Sequence, residues 1–257
     1  MKTKLHLKVW NATALVFILL IFPLFSGESA TFSIALDDFI TKRYESLDPG
    51  DGVKPPRDLY ERGMIGYFNL KAEGKEITNE KLTLIDFRLS STRKRMWVID
   101  LNTNKLLYYR LVAHGKNTGG EYARSFSNIR YSNKSSLGFY ITGENYTGKH
   151  GLSLRLDGME PGFNDLARQR AVVMHGAAYV STDFIKLYGR LGRSFGCPAI
   201  AMKNHKEIIK MLANKSLLFI YSPELEYEEK TLLNDREKAQ RYLQYAKLTA
   251  SSEAAAP

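Results

Sequence analysis

The sequence predicts a mainly β core with α-helices at both ends of the chain, built as one domain. Three observations predict it. Apolar residues recur at helical spacing in 32–47 and 56–70; short apolar runs with a two-residue period follow from about Leu82 to residue 222; and a charged, helix-like run closes the chain at 223–248. The 257 residues are 44% hydrophobic and 25% charged, the balance of an ordinary folded chain, which excludes wholesale disorder and a multi-span membrane protein.

Taken in order, FSIALDDFITKRYESL (32–47) and PRDLYERGMIGYFNL (56–70) read as helices, with Pro56 suited to a first turn and DPGDGVKP (48–55) as the loop between them. In 84–89 the side chains alternate, Ile85, Phe87 and Leu89 on one face and Asp86 and Arg88 on the other. MWVIDL (96–101) and KLLYYRLVAH (105–114) then read as a hairpin around Asn102-Thr103-Asn104. Further strands are expected at 138–142, 152–156, 171–175 and 217–221, with a connection at 115–136 long enough to be functional. Residues 223–248 read as an exposed helix and SSEAAAP as a disordered tail. The boundaries that follow are 1–30, 31–81 (helical segment), 82–222 (β core) and 223–257 (helix and tail).

The first thirty residues have their own logic. Lys2, Lys4 and Lys8 stand without an acid in 1–8, ATALVFILLIFPLF (12–25) is almost wholly apolar, and SGESA follows. That pattern predicts a secretory signal cleaved between Ser26 and Ala30; the apolar run is short of the about 20 residues a membrane-spanning helix needs. The whole chain carries 37 basic and 27 acidic side chains, a net +10, and loss of 1–30 leaves +8. This charge suits an anionic partner such as a cell-wall polymer, and suits ordinary solubility equally well. The basic residues do not interleave with aromatics, so no nucleic-acid partner is expected.

A single cysteine, Cys197, excludes an internal disulfide and any Cys-rich zinc or iron–sulfur site. The five histidines, His6, His114, His150, His175 and His205, form no H-E-x-x-H or H-x-H pair, so no metal or other cofactor is expected. In AVVMHGAAYVSTDFIKLYGRLGRSFGCPAIA (171–201), His175 ends an apolar strand before Gly176, and Gly196-Cys197-Pro198 comes 22 residues after that histidine. A thiol becomes a good nucleophile beside a base, and a neutral imidazole is the usual one. An acyl oxygen then needs N–H donors, and because Pro198 has none, the N–H groups of Cys197 and Gly196 are the candidates. The bland alternative is a small buried cysteine and a structural histidine. Gly192-Arg193-Ser194-Phe195-Gly196 also fits the serine elbow G-x-S-x-G, but no strand precedes it and His205 follows too closely.

The H-G…S-x-G-C arrangement resembles the L,D-transpeptidase (YkuD-type) family, cysteine enzymes that cross-link bacterial peptidoglycan. The wording HGAAYV and GRLGRSFGCPAI, with VIDL (98–101), VAHGKNTGG (112–120), FSN (126–128), SSLGFYITGENYTGKHG (135–151) and NDLARQRAVVMHGA (164–177), is similar to the murein L,D-transpeptidase catalytic domain subgroup. The resemblance implies a β-sandwich-like catalytic core and a two-step acyl transfer with Cys197 as nucleophile and His175 as base. The substrates it implies are peptidoglycan stem peptides, as donor and as acceptor, in the periplasm or cell envelope of a bacterium; the membrane is a partner only if the signal stays uncleaved. Gly196 and Ser194 join the catalytic set. Arg193, Tyr179, His114, Gly176 and Asn128 form the expected substrate-binding set. Phe195 stands where the family pattern has histidine and Ala199 where it has arginine, which leaves Arg193 as the expected carboxylate anchor. With water as acceptor the same site would be an L,D-carboxypeptidase or a cysteine endopeptidase, and a non-catalytic wall-binding protein is the alternative from another class.

Overall fold

The computed structural model describes residues 26–254. The basic and apolar segments on which the export signal rests, residues 1–25, lie outside the described residues. Among the described residues no helix is long and apolar enough to cross a membrane.

Two helices lead in, α1 (Ser26–Glu45) and α2 (Arg57–Ala72). Nine strands follow: β1 (Lys81–Asp86), β2 (Met96–Asp100), β3 (Lys105–Arg110), β4 (Val112–Ala113), β5 (Gly138–Gly148), β6 (Gly151–Gly158), β7 (Val173–Ala177), β8 (Ala199–Ala201) and β9 (Leu217–Tyr221). Helix α3 (Thr182–Tyr188) joins β7 to β8, and α4 (His205–Leu212) joins β8 to β9. The chain closes with α5 (Leu225–Lys230), a short turn of 3₁₀ helix and α6 (Arg236–Ala254).

All nine strands form one sheet in the order β3-β2-β1-β9-β5-β6-β7-β8-β4. The expected sandwich of two sheets is therefore replaced by one continuous sheet. Its edge strands β3 and β4 are separated in sequence by Leu111 alone, so the sheet must curl until its edges nearly meet, as in a barrel. KLLYYRLVAH, which reads as one strand, breaks at Leu111 because its two halves pair at opposite edges: Met96–Asp100 takes the first half and Ala199–Ile200 the second. Most contacts are antiparallel; β1 with β9 and β7 with β8 are parallel.

The boundary expected at residue 82 cuts through a single hydrophobic core. Leu59, Tyr60, Met64 and Ile65 of α2 are buried together with Leu82, Leu84 and Phe139 of the sheet. The helix comes this close because Gly63 and Gly66 face the sheet. A Cβ on Gly63 would lie 2.6 Å from Leu84, and one on Gly66 would lie 2.0 Å from the Phe139 ring. That ring is itself stacked on Phe219 at 4.0 Å and has no free side to move toward. Asp86, on the face opposite Ile85 and Phe87, is buried at 1%, and its carboxylate holds Arg88 at 2.9 Å.

The C-terminal run is not one exposed helix. It breaks around Thr231–Asp235, where Asn69 Nδ2 of α2 donates to the carbonyls of Leu233 (3.0 Å) and Asp235 (2.8 Å). Leu233, Ala239 and Leu243 are buried in the core, and α6 extends through Ser251–Ala254, into the stretch expected to be a tail. A buried carboxylate, Glu160, clips this region to the sheet: it accepts from Phe139 N–H at 2.7 Å, Tyr227 O–H at 3.0 Å and Thr231 O–H at 2.5 Å.

Gly66→Ala tests the helix–sheet contact. Helix propensity alone would stabilise this variant by about 1 kcal/mol, but overpacking against Phe139 costs about 1–3 kcal/mol. Urea denaturation should give a net loss; a midpoint equal to or above wild type would contradict the packing described.

Candidate active site

The site is built where β7 and β8 run parallel. His175 of β7 pairs with Ala199 of β8, and Cys197 lies two residues ahead of Ala199. Strand β8 begins too late to satisfy β7 upstream of His175, so the Val173 N–H points at the thiol instead, with N···Sγ 3.4 Å. The thiol in turn faces the Ala171 carbonyl at 3.8 Å. Ala171 has φ +53°, an unusual conformation for a residue with a side chain and one that clusters at functional sites.

The turn carrying Cys197 is held mainly by Ser194. Its hydroxyl donates to the Cys197 carbonyl at 2.6 Å and accepts from the Gly196 N–H at 3.0 Å. Its backbone N–H donates to the His114 carbonyl at 3.0 Å. Gly196 sits at φ +123°, and a Cβ there would lie 2.8 Å from the Lys134 carbonyl oxygen, so this position needs glycine on both counts. The long 115–136 connection packs behind the turn: Ser135 Oγ donates to the Gly196 carbonyl at 3.1 Å and accepts from Gly115 N–H at 3.0 Å.

Of the two expected oxyanion donors, Gly196 N–H is occupied by Ser194. The Cys197 N–H has no partner among the described residues and is the donor left to a substrate oxygen. Ser194 thus orders the turn that carries Cys197 and makes no hydrogen bond with His175.

His175 is buried, and its Nδ1 lies 3.0 Å from the Gly176 carbonyl. A carbonyl can only accept, so Nδ1 carries the proton and Nε2 is the basic nitrogen. Gly176 thereby orients the base, rather than lining a pocket. It also lets a second imidazole approach, since a Cβ there would lie 2.6 Å from the ring of buried His205. A third, His150, stacks on His175 with centroids 4.4 Å apart and planes 19° apart.

Burial pushes the His175 imidazole below its ordinary value; the Gly176 carbonyl opposes this, while His150, His205 and Lys149 add to it. Burial also pushes the Cys197 thiol up, against the pull of Val173 N–H, Arg170 and Lys149 toward the thiolate. Both shifts favour a neutral thiol beside a neutral imidazole at pH 7. No hydrogen bond joins Cys197 to His175, so the resting site holds no thiolate–imidazolium pair.

The expected substrate-binding residues divide. Tyr179 is half-buried over Gly192, and its hydroxyl is pushed up to about 12 by burial and then by the nearby Cys197, which places it on the thiol's side of the site. Arg193 is exposed, but its Nη1 donates to the carbonyls of Lys116 (3.2 Å) and Gly119 (3.0 Å), so it pins the long loop. His114 does not line a cleft. It is buried at 1%, accepts from Arg95 Nη2 at 2.8 Å and is depressed to about 4 by burial and the Arg95 charge. Asn128 donates to Asp165 at 2.7 Å beside a cleft of about 470 Å³ that also has Phe126, Phe163 and Tyr227 on its wall but neither Cys197 nor His175.

Four residues near the pair carry no local signal in the sequence. His205 begins α4, Lys149 and His150 form the β5–β6 tip, and Arg170 precedes β7. Only the folding of distant segments onto one spot, not any spacing along the chain, brings them there.

A neutral resting thiol has a direct chemical readout. Alkylation of Cys197 by iodoacetamide should be slower at pH 7 than that of a free cysteine, and its rate should rise with a midpoint above the ordinary value near 8.5. A midpoint below 7 would contradict the arrangement described.

The L,D-transpeptidase catalytic domain family model matches residues 54–221. No curated protein matches the chain. Similar solved structures include an L,D-transpeptidase from Mycobacterium smegmatis, 12% identical, with a TM-score of 0.34, covering 56% of this chain and 59% of that one. Another is an L,D-transpeptidase from Stackebrandtia nassauensis, 13% identical, with a TM-score of 0.33, covering 74% of this chain and 92% of that one. The chain thus spans under two thirds of the Mycobacterium smegmatis structure. The match over 54–221, which takes in α2 and every strand, shows that the chain belongs to the L,D-transpeptidase family and carries its catalytic domain.

Proposed function

We propose that the protein is an exported acyltransferase that joins peptidoglycan stem peptides through a thioester on Cys197. The observation that carries this reading is a cysteine set two residues ahead of the β8 position paired with His175, its thiol against the β7 backbone, and a histidine whose tautomer is fixed by the Gly176 carbonyl.

On this reading the donor stem displaces the thiol from the Ala171 carbonyl, and His175 Nε2 takes the thiol proton. The sulfur attacks the carbonyl carbon at the L-centre of a diamino acid. The developing oxyanion is met by the Cys197 N–H. The C–N bond to the terminal D-Ala breaks, and the proton held on His175 goes to the departing amine, leaving a thioester. The side-chain amine of a second stem then attacks that carbonyl, gives its proton to His175, and expels the Cys197 sulfur, which recovers the proton. Starting from a neutral pair, proton transfer and attack are coupled, so the thiol stays unreactive until a donor is bound.

The neutral imidazole also serves the second step, because a base must be unprotonated to accept the acceptor's proton. Location in the periplasm or cell envelope follows from the basic–apolar–small pattern of residues 1–30 and from the place of the substrate.

Incubation of purified stem-peptide fragments with wild-type protein and with Cys197→Ala, followed by mass spectrometry of the products, tests this. New cross-linked dimers should form with wild type and fall by at least about a thousandfold in the variant. Release of D-Ala without dimers would make the protein a carboxypeptidase instead. Undiminished dimer formation by Cys197→Ala would overturn the mechanism.

A further inference from the structure

The β5–β6 hairpin ends directly over the catalytic base. Gly148 pairs with Gly151, so Lys149 and His150 are the two residues of the turn. The His150 ring lies flat on His175 at 4.4 Å, which fixes where the tip sits and carries its neighbour Lys149 to the same place.

Lys149 is exposed and makes no hydrogen bond or ion pair with the described residues. Other cations of the neighbourhood have protein contacts. Arg170 donates to the Ser127 carbonyl at 2.7 Å, the Lys134 carbonyl at 2.7 Å and the hydroxyl of Ser136. Lys134 Nζ donates to Ser125 Oγ at 2.6 Å, and Lys116 Nζ stands 4.6 Å from the Phe195 ring centroid. Arg193 is tied to the two carbonyls of the long loop.

We propose that Lys149 reads the terminal carboxylate of the donor stem and so restricts the site to stems with a free C-terminus. This rests on the donor chemistry proposed above. In that chemistry the departing nitrogen receives its proton from His175, and the carboxylate hangs one carbon beyond that nitrogen. A cation that recognises it must therefore stand beside His175, on the leaving-group side, without a protein carboxylate of its own. Lys149 adjoins the imidazole stacked on His175 and has no carboxylate partner among the described residues, and a long flexible stem with a compact ammonium can follow a small leaving group.

The electrostatics agree with this placement. The Lys149 charge acts at both Cys197 and His175, favouring the thiolate and opposing the imidazolium. A bound carboxylate would cancel much of that charge and make His175 a better proton acceptor once a correct donor is in place. Arg193, the residue expected for this role from the sequence, is held to the long loop through its Nη1.

Binding measured without turnover separates this inference from the proposed reaction. In a Cys197→Ala background, calorimetry would compare a stem tetrapeptide ending in D-Ala with the same peptide ending in the C-terminal amide. The free acid should bind about ten- to a hundredfold more tightly, the range of a charge-assisted contact. Adding Lys149→Met should abolish that preference, and Lys149→Arg should preserve it. Both peptides binding equally in the Cys197→Ala protein, or a preference that persists in Lys149→Met, would overturn the Lys149 assignment alone. No binding of either peptide would overturn it together with the donor reading on which it rests.

Discussion

The hydroxyl of Ser194 is the contact on which the rest of the site depends. By taking the Gly196 N–H and giving its own proton to the Cys197 carbonyl, it closes a turn that a φ of +123° at Gly196 would otherwise leave open. The same residue is tied through its N–H to His114, whose ring is held by Arg95. Arg95 is fully buried, and a buried charge is costly unless its donors are satisfied. Here they reach the carbonyls of Leu89 and Val112 and the His114 ring, and the guanidinium lies over Phe87 at 4.8 Å. Burial lowers it to about 9, which leaves it charged at neutral pH and keeps His114 a neutral acceptor. A hydrogen-bonded line thus runs from a charge in the core to the backbone of the nucleophile, and it gives structural work to a histidine that reads from the sequence as a cleft residue.

The chemistry of the central pair was legible because it depends on residue type. A lone cysteine between glycine and proline, downstream of a histidine-glycine pair, already narrows the options to a buried thiol or a nucleophile. The strands at 96–101, 138–142 and 217–221 were legible too, since buried apolar runs are local. What stayed hidden depends on pairing between distant segments. Nothing in KLLYYRLVAH marks Leu111 as a corner, because the break is imposed by β2 on one side and β8 on the other. Strand β8 is three residues long and has no periodicity to detect. Lys149, His150 and His205 reach the base from a hairpin tip and a helix start, and their residue types carry no distinguishing mark at those positions. The packing of α2 on the sheet was hidden for a related reason: Gly63 and Gly66 look like weak helix positions until Leu84 and Phe139 are seen against them.

The resting electrostatics have a functional consequence. Burial, and after it two further imidazoles and a lysine, disfavour a positive charge on His175, and burial disfavours a negative charge on Cys197. A preformed ion pair would make the thiol permanently reactive and open to oxidation. A neutral pair that becomes active when a donor binds avoids that exposure, and it makes the substrate part of the switch.

The central claim is that the acyl group passes through Cys197 with His175 moving the proton. Intact-mass spectrometry of the protein after brief mixing with a stem tetrapeptide addresses it most directly. The account predicts an adduct equal to the stem without its terminal D-Ala, mapped to Cys197 by digestion and lost in both Cys197→Ala and His175→Gln. An adduct on another residue, or one that forms at an undiminished rate without His175, would contradict it.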